Sequence, residues 1–282
     1  MKLQPRLVEK PWGRTGLGAF RIAGGGRLGE VWFGSPGERE LPLLVKHIFT
    51  SEALSVQVHP DDVQARARGH SSGKNESWYI VDAEPGAAVA LGLRGEVPAD
   101  RLRSAALDGS IVGMLSWKGV RPGDYFHVPA GTIHAIGPGI SLIEIQQPSD
   151  VTYRLYDHGR PRELHLDEAL AVADRRAYRR ELMGRLRPGE RRVLVPGPHF
   201  TLFSAGGGGI LDTLCDRDRF VMPLSGSARA DRGRAGPGEC LFAPAGERLA
   251  MSADASLLVA APGAFGNAEN VRSVAPERAR AA

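Results

Sequence analysis

The chain has 282 residues, 42% hydrophobic and 24% charged, a size that can bury a sizeable core in one large domain or two ordinary ones. Its 36 glycines and 20 prolines are scattered rather than periodic, which excludes collagen-like and low-complexity character and suits many short strands joined by turns. The formal charge of +4 comes largely from arginine, densest at Arg175, Arg176, Arg179, Arg180, Arg185, Arg187, Arg191 and Arg192. Only Tyr178 lies among them, so the stacking aromatics of a nucleic-acid interface are missing and the cluster reads as a solvated helix face. A basic balance still favours an anionic substrate.

Met1 to Lys10 carries four charges and no apolar core, and no later run is long enough to span a bilayer, so the expectation is a cytoplasmic protein without membrane contact. Cys215 and Cys240 have neither metal-like nor redox-like spacing and read as a reduced pair, with a single disulfide as the open alternative.

In chain order, Leu41 to Ile48 and Leu54 to His59 have the length and apolar pattern of strands, punctuated by Pro42 and Pro60. In the second run a period of two sends Ser55, Gln57 and His59 to one face and Leu54, Val56 and Val58 to the other. Residues 98 to 117 read as one or two short helices. Strands are expected again at Tyr125, from Leu142 to Ile145 and from Thr152 to Leu155. A helix is expected from Leu166 to about Met183, with Asp167 and Glu168 in its first turn and Gly184 as its stop. His127 alternates away from Phe126 and Val128, as a packing or surface residue does. The glycine runs at Gly24 to Gly26 and Gly206 to Gly209 lack the ending of a phosphate loop.

The segment from Pro122 to His134 realigns with Pro237 to Leu249, sharing its Pro-Gly opening and its Pro-Ala-Gly turn. Two tandem β-barrels follow: a catalytic domain over 1–164 with a helical insert near 98–117, a helix plus degenerate barrel over 165–270, and a flexible tail over 271–282. The second copy has Leu249 where the first has His134, and His199 is the one histidine after position 165, so the second barrel is expected to lack a metal site.

Gln57, His59, Glu76 and His134 lie on strand-like segments and form a mixed nitrogen and oxygen ligand set. That set suits zinc and would also accept manganese, iron or cobalt. Taken singly, each has a structural explanation: a strand histidine is usually hydrogen-bonded framework, and Glu76 close to Lys74 is an ordinary ion pair. Four ligands without cysteine would leave the ion residual charge for a substrate oxygen, as a Lewis acid needs.

The segments Leu54 to Asp62, Gly73 to Tyr79, Val128 to Ile136 and Ser149 to Leu155, with Lys10-Pro11-Trp12-Gly13 and Gly29-Glu30-Val31-Trp32, resemble the signature segments of type I mannose-6-phosphate isomerases of the cupin superfamily, in a compact bacterial form. The resemblance covers roughly residues 8 to 170. It implies mainly β architecture with two jelly-roll barrels, one zinc ion held by Gln57, His59, Glu76 and His134, and an active-site arginine at Arg154. It also implies a pocket lined by Lys46, Ser55, Lys74, Glu144 and Asp150. The implied reaction interconverts mannose 6-phosphate and fructose 6-phosphate through an enediol(ate), in a monomer or homodimer acting on a small sugar phosphate. The base is open among Glu144, Asp150, a lysine or a zinc-bound water, and Lys46 or Lys74 could serve the phosphate. Competing readings are another metal-dependent cupin enzyme, an oxygenase or sugar isomerase, and a non-catalytic sugar-phosphate-binding protein.

Overall fold

Short apolar runs bounded by glycine and proline become strands almost throughout the computed structural model, which describes residues 1–17, 25–37, 39–187 and 189–265. Gly24 and the tail expected over 271–282 lie outside the described residues. The chain divides into two units, Leu3–Arg187 and Pro188–Ala282 together with Met1–Lys2. Among the described residues no helix is long and apolar enough to cross a membrane.

The first unit runs β1 (Gln4–Arg14), β2 (Leu28–Gly34), β3 (Leu44–Phe49), β4 (Val56–Val58), α1 (Asp62–Arg66), β5 (Glu76–Ala83), β6 (Ala88–Leu93), α2 (Ala99–Asp108), α3 (Ile111–Met114), β7 (Leu115–Gly119), β8 (Asp124–Val128), β9 (His134–Ile136), β10 (Ile140–Gln146), β11 (Tyr153–Tyr156), α4 (Leu166–Val172) and β12 (Met183–Arg185). The strands form a seven-stranded sheet in the order β1-β2-β3-β10-β5-β8-β12 and a five-stranded sheet in the order β11-β4-β9-β6-β7. Trp78, Ile80, Phe126 and Leu142 of the larger sheet share one buried cluster with Val89, Leu91 and Ile136 of the smaller, so the two sheets face one another across an apolar core. On the other side of the smaller sheet, Val56, Val58 and Leu155 pack with Leu102 and Ala105 of α2 and with Ala169 and Val172 of α4.

The helix expected from Leu166 to Met183 ends at Val172. Beyond it residues 173 to 177 are two alanines, Asp174 and two arginines, too small or too polar to hold a helical face against the core. Their backbone pairs with the barrel instead: Asp174 N donates to Gly131 O at 2.7 Å and Leu93 N to Arg176 O at 3.3 Å. The segment carrying Arg175 and Arg176 is therefore an extended strap and not a helix face. Residues 115 to 117, expected to be helical, begin β7. The boundary expected after residue 164 falls at 187/188, because α4 is buried in the first unit and β12 pairs with β8.

The second unit contains β13 (Arg192–Val195), β14 (Phe200–Gly206), β15 (Gly209–Ile210), β16 (Arg219–Ser225), β17 (Ala228–Ala230), β18 (Gly233–Ala235), β19 (Leu241–Ala243), β20 (Ala250–Met251) and β21 (Ser256–Pro262). A five-stranded sheet, β13-β14-β21-β16-β19, faces a four-stranded one, β15-β20-β17-β18, across a core that includes Val221, Leu241, Val259, Ala228 and Met251. Cys215 is exposed and Cys240 buried, both as free thiols.

The repeat read from the sequence has matching turns. Gly131 and Gly246 have φ of +84° and +82°, the left-handed region that favours glycine. Thr132 N donates to Pro129 O and Glu247 N to Pro244 O, each at 3.1 Å.

Candidate metal centre and active site

Strand register decides which side chains meet. Across the seven-stranded sheet, Arg6 lies opposite Trp32, Trp32 opposite Lys46, Lys46 opposite Glu144, and Glu144 opposite Trp78, so these five project from one face. Glu76, two residues before Trp78, shares that face and lies opposite Gln146. In the five-stranded sheet Arg154 lies opposite Gln57, Gln57 opposite His134, and His134 opposite Leu91. Leu91 packs in the inter-sheet core, so Gln57, His134 and Arg154 face the interior too, a point that strand parity alone leaves open.

His59, Glu76 and His134 present ligand atoms that all lie within 4.8 Å of one another, and all three residues are buried. His59 Nε2 is 3.4 Å from Glu76 Oε2, and His134 Nε2 is 3.4 Å from Glu76 Oε1. Each imidazole is oriented from behind: His59 Nδ1 lies 2.8 Å from Val151 O and His134 Nδ1 lies 2.9 Å from Thr132 O. A carbonyl can only accept, so both Nδ1 atoms carry the proton and both Nε2 lone pairs point at the cluster. Burial pushes His59 down to about 3, with Lys74 adding to the fall and Glu76 opposing it. Burial also lowers His134. Both rings are neutral near pH 7.

His59 Nε2 and Glu76 Oε1 complete no hydrogen bond, and Glu76 Oε2 meets the Lys74 ammonium at 3.2 Å without completing one. Buried acceptors left open are costly, and a cluster of acceptors aimed at one point is satisfied by a cation. The residues therefore fit a divalent metal ion. Gln57 stands beside them, with its Nε2 3.2 Å from His134 Nε2 and its Oε1 accepting from Ser55 Oγ at 3.1 Å.

The three ligand-bearing segments are tied together by a buried amide network. Ala130 N donates to Asn75 Oδ1 at 3.0 Å, and Asn75 N and Nδ2 donate to Gln147 Oε1 at 2.9 and 2.8 Å. Gln147 Nε2 in turn donates to Asp62 Oδ1 at 2.9 Å, which also accepts from Gly73 N at 2.8 Å. Lys74 N donates to Pro60 O and Gly131 N to His59 O, so the His59, Glu76 and His134 segments share one scaffold.

The charged residues named from the sequence gather beside this cluster. Lys74 Nζ is 3.2 Å from Glu76 Oε2. Burial would lower Lys74, but the pull of Glu76, Glu144 and Asp150 outweighs it and raises this lysine. Burial would raise Glu76, yet opposing influences led by the Lys74 ammonium hold it well below the usual carboxylate range. Lys46 Nζ lies 3.4 Å from Glu144 Oε2, 3.1 Å from Asp150 Oδ1 and 4.3 Å from the Trp32 ring centroid. Glu144 Oε1 accepts from Trp78 Nε1 at 3.2 Å. Burial pushes Glu144 up to about 7, helped by the negative charge of Glu76 and opposed by Lys46 and Lys74. Asp150, pulled by the two lysines against its partial burial, is lowered.

Arg154 is half-buried, and its Nε donates to Glu163 O at 2.9 Å. The nearby Asp157 carboxylate pairs with Arg160 at 2.8 Å and Arg162 at 2.5 Å. The sequence reading overlooked Asn75, Gln147 and Trp78, which have no spacing signal and meet the site only through register and long-range contacts. Asn75, Trp78 and Trp32 lie within segments that carry the family resemblance, but their contacts at the site depend on strand register.

The second unit carries an equivalent set of positions with other chemistry. As Gly131 N donates to His59 O, Gly246 N donates to Cys215 O; as Glu76 lies opposite Val128, Arg219 lies opposite Ala243. Cys215, Arg219 and Leu249 thus stand where His59, Glu76 and His134 stand in the first unit. Arg219 is fully buried and donates to Leu211 O at 3.1 Å and to Glu247 O. The cluster of His59, Glu76 and His134 is the one such group among the described residues.

Two facing antiparallel sheets with a buried His–Glu–His cluster between them define a cupin-like β-barrel with a candidate metal centre. No family model matches the chain. Among curated proteins, mannose-6-phosphate isomerase of Streptococcus mutans is 37% identical over 179 residues, covering 61% of this chain and 56% of that protein. Probable mannose-6-phosphate isomerase GmuF of Bacillus subtilis is 39% identical over 161 residues, covering 52% of this chain and 51% of that protein. The chain spans about half the length of the curated relatives it matches. The crystal structure of mannose 6-phosphate isomerase from Bacillus subtilis superposes with a TM-score of 0.75 at 25% identity, covering 92% of this chain and 98% of that one. Phosphomannose isomerase from Salmonella typhimurium, at 16% identity and a TM-score of 0.72 over 93% of this chain and 99% of that one, shares the fold. The chain is similar to mannose-6-phosphate isomerases, the family that its sequence resembles.

Proposed function

We propose that the chain is a zinc-dependent aldose–ketose isomerase that interconverts mannose 6-phosphate and fructose 6-phosphate. The observation that carries this reading is the convergence of the open acceptors of His59 and Glu76 and the Nε2 of His134 on one point beside Glu144, Lys46 and Lys74. The named relatives support the same substrate class.

His59, Glu76 and His134 would hold the ion, and Gln57 would join them by turning its amide so that Oε1 replaces Nε2. Ser55 can donate or accept, so that rotation leaves the hydroxyl bond intact. A divalent ion held there supplies positive charge to the sugar oxygens.

The remaining work falls to the chain's own groups. Isomerisation takes a proton from C2 of the aldose and returns it to C1, through an enediol(ate) in which negative charge spreads over both oxygens. A base serves best when its pKa lies near the working pH, and Glu144, at about 7, meets that condition. Trp78 and Lys46 fix its two oxygens. Arg154, facing the interior opposite Gln57, adds a positive charge suited to the enediolate.

The test is a coupled assay for fructose 6-phosphate formed from mannose 6-phosphate, run with and without chelator. Turnover should vanish on chelation and return with zinc, and Glu144→Gln should lower kcat on the order of a hundredfold. Fully zinc-loaded protein without turnover would sink the reading.

A further inference from the structure

The cations deepest in the cavity are already matched by carboxylates. Lys46 sits within 3.4 Å of Glu144 and 3.1 Å of Asp150, and Lys74 within 3.2 Å of Glu76. Each lysine is thus already matched by a carboxylate, and a divalent ion held by His59, Glu76 and His134 would offer its charge to the sugar oxygens, so neither lysine is a spare cation for a phosphate dianion. Lys10 at the rim is paired with Glu30 at 3.3 Å, and Arg14 with Glu84 at 2.5 Å. Among the described residues, the guanidinium that stands on the Lys46–Glu144 row with no carboxylate partner is that of Arg6.

Arg6 is exposed on the edge strand β1 and lies opposite Trp32 in register, so it projects from the face that carries Lys46 and Glu144. Its Cζ lies 4.5 Å from the Trp32 ring centroid. Trp32 is itself fixed, because its Nε1 donates to Glu30 Oε2 at 2.5 Å. A guanidinium against an indole keeps its N–H edge free, and that planar edge matches two phosphate oxygens. The stacking also reduces the side-chain freedom lost on binding.

Resting on the sugar-phosphate reading above, we propose that Arg6, held against Trp32, receives the phosphate group of the substrate at the rim of the first barrel, leaving the buried lysines to the sugar. The residue lies outside every segment that carried the family resemblance, and its position on the row depends on strand pairing.

Calorimetric titration of the zinc-loaded full chain with fructose 6-phosphate and with unphosphorylated fructose tests this apart from turnover. Arg6→Ala should weaken fructose 6-phosphate binding on the order of tenfold and Arg6→Glu by considerably more, while the fructose constant moves less than twofold. Unchanged zinc content and thermal midpoint would establish that the variants are folded. Equal loss for both ligands, or a fructose 6-phosphate constant within twofold of wild type in both variants, would overturn the assignment. Wild-type protein that binds fructose 6-phosphate in an Arg6-dependent way yet shows no turnover would refute the isomerase and uphold Arg6. Wild-type protein that binds no sugar phosphate would refute both.

Discussion

Two imidazoles with carbonyls at their backs are inexpensive to orient and costly to protonate. His59 at about 3, and His47 at about 4 in the same unit, both lowered chiefly by burial, lie below the 6.5 of an exposed ring. As pH falls, the unfolded chain therefore takes up these protons before the folded one does. Stability of the metal-free chain should decline from pH 6.5 toward 4, each such ring contributing on the order of 2 kcal/mol of loss by pH 5. Urea unfolding at pH 7 and pH 5 measures this, and a stability that does not fall contradicts the neutral-ring assignment. These rings were legible as candidate ligands because Gln-x-His in an alternating strand is a local pattern. Asn75 was not, since its contacts at Ala130 and Gln147 are 55 and 72 residues away in the chain.

Turns, rather than strands, fix where His134 sits. Gly131 and Gly246 occupy corresponding turns with nearly the same φ, yet their surroundings differ: a Cβ on Gly131 would meet Val172 O at 3.2 Å, whereas nothing lies within 4 Å of one on Gly246. Alanine at either site carries a left-handed backbone cost of about 1 kcal/mol. Gly131→Ala must also displace the turn whose Thr132 carbonyl orients His134, so zinc affinity should drop about tenfold there and stay unchanged in Gly246→Ala. Paired denaturation and zinc titrations separate the two effects, and equal zinc affinities would refute the positioning role. The strap after α4 taught the opposite lesson. Its acidic start and downstream glycine signalled a longer helix, but the small and charged residues of 173 to 177 offer the core little to pack and their backbone found better partners on the barrel.

The two units reuse one plan with different charges at the corresponding positions. In the first, a carboxylate and two imidazoles leave acceptors open for a cation; in the second, the Arg219 guanidinium brings a cation of its own and spans Leu211 O and Glu247 O. One zinc per chain is expected by elemental analysis, abolished by His134→Ala and unaffected by Arg219→Met. The latter should destabilise the protein by about 3 kcal/mol, because two buried carbonyls lose their charged donor. A second equivalent of tightly bound zinc would contradict the assignment.

The mainly β class, the internal repeat and the candidate cluster of His59, Glu76 and His134 were legible in the sequence, because alternation, turn chemistry and ligand type are local properties that survive without a third dimension. The offset between His134 and Leu249 already distinguished the copies. The rest depended on pairing between distant strands. Register placed Glu144 beside Lys46, turned Arg154 toward Gln57, set Arg219 in the position of Glu76 and aligned Arg6 with the cavity row. A shift of one residue in any of those strands would send the same side chains to the opposite face, and the forces that fix the register come from the assembled core rather than from any one strand's sequence.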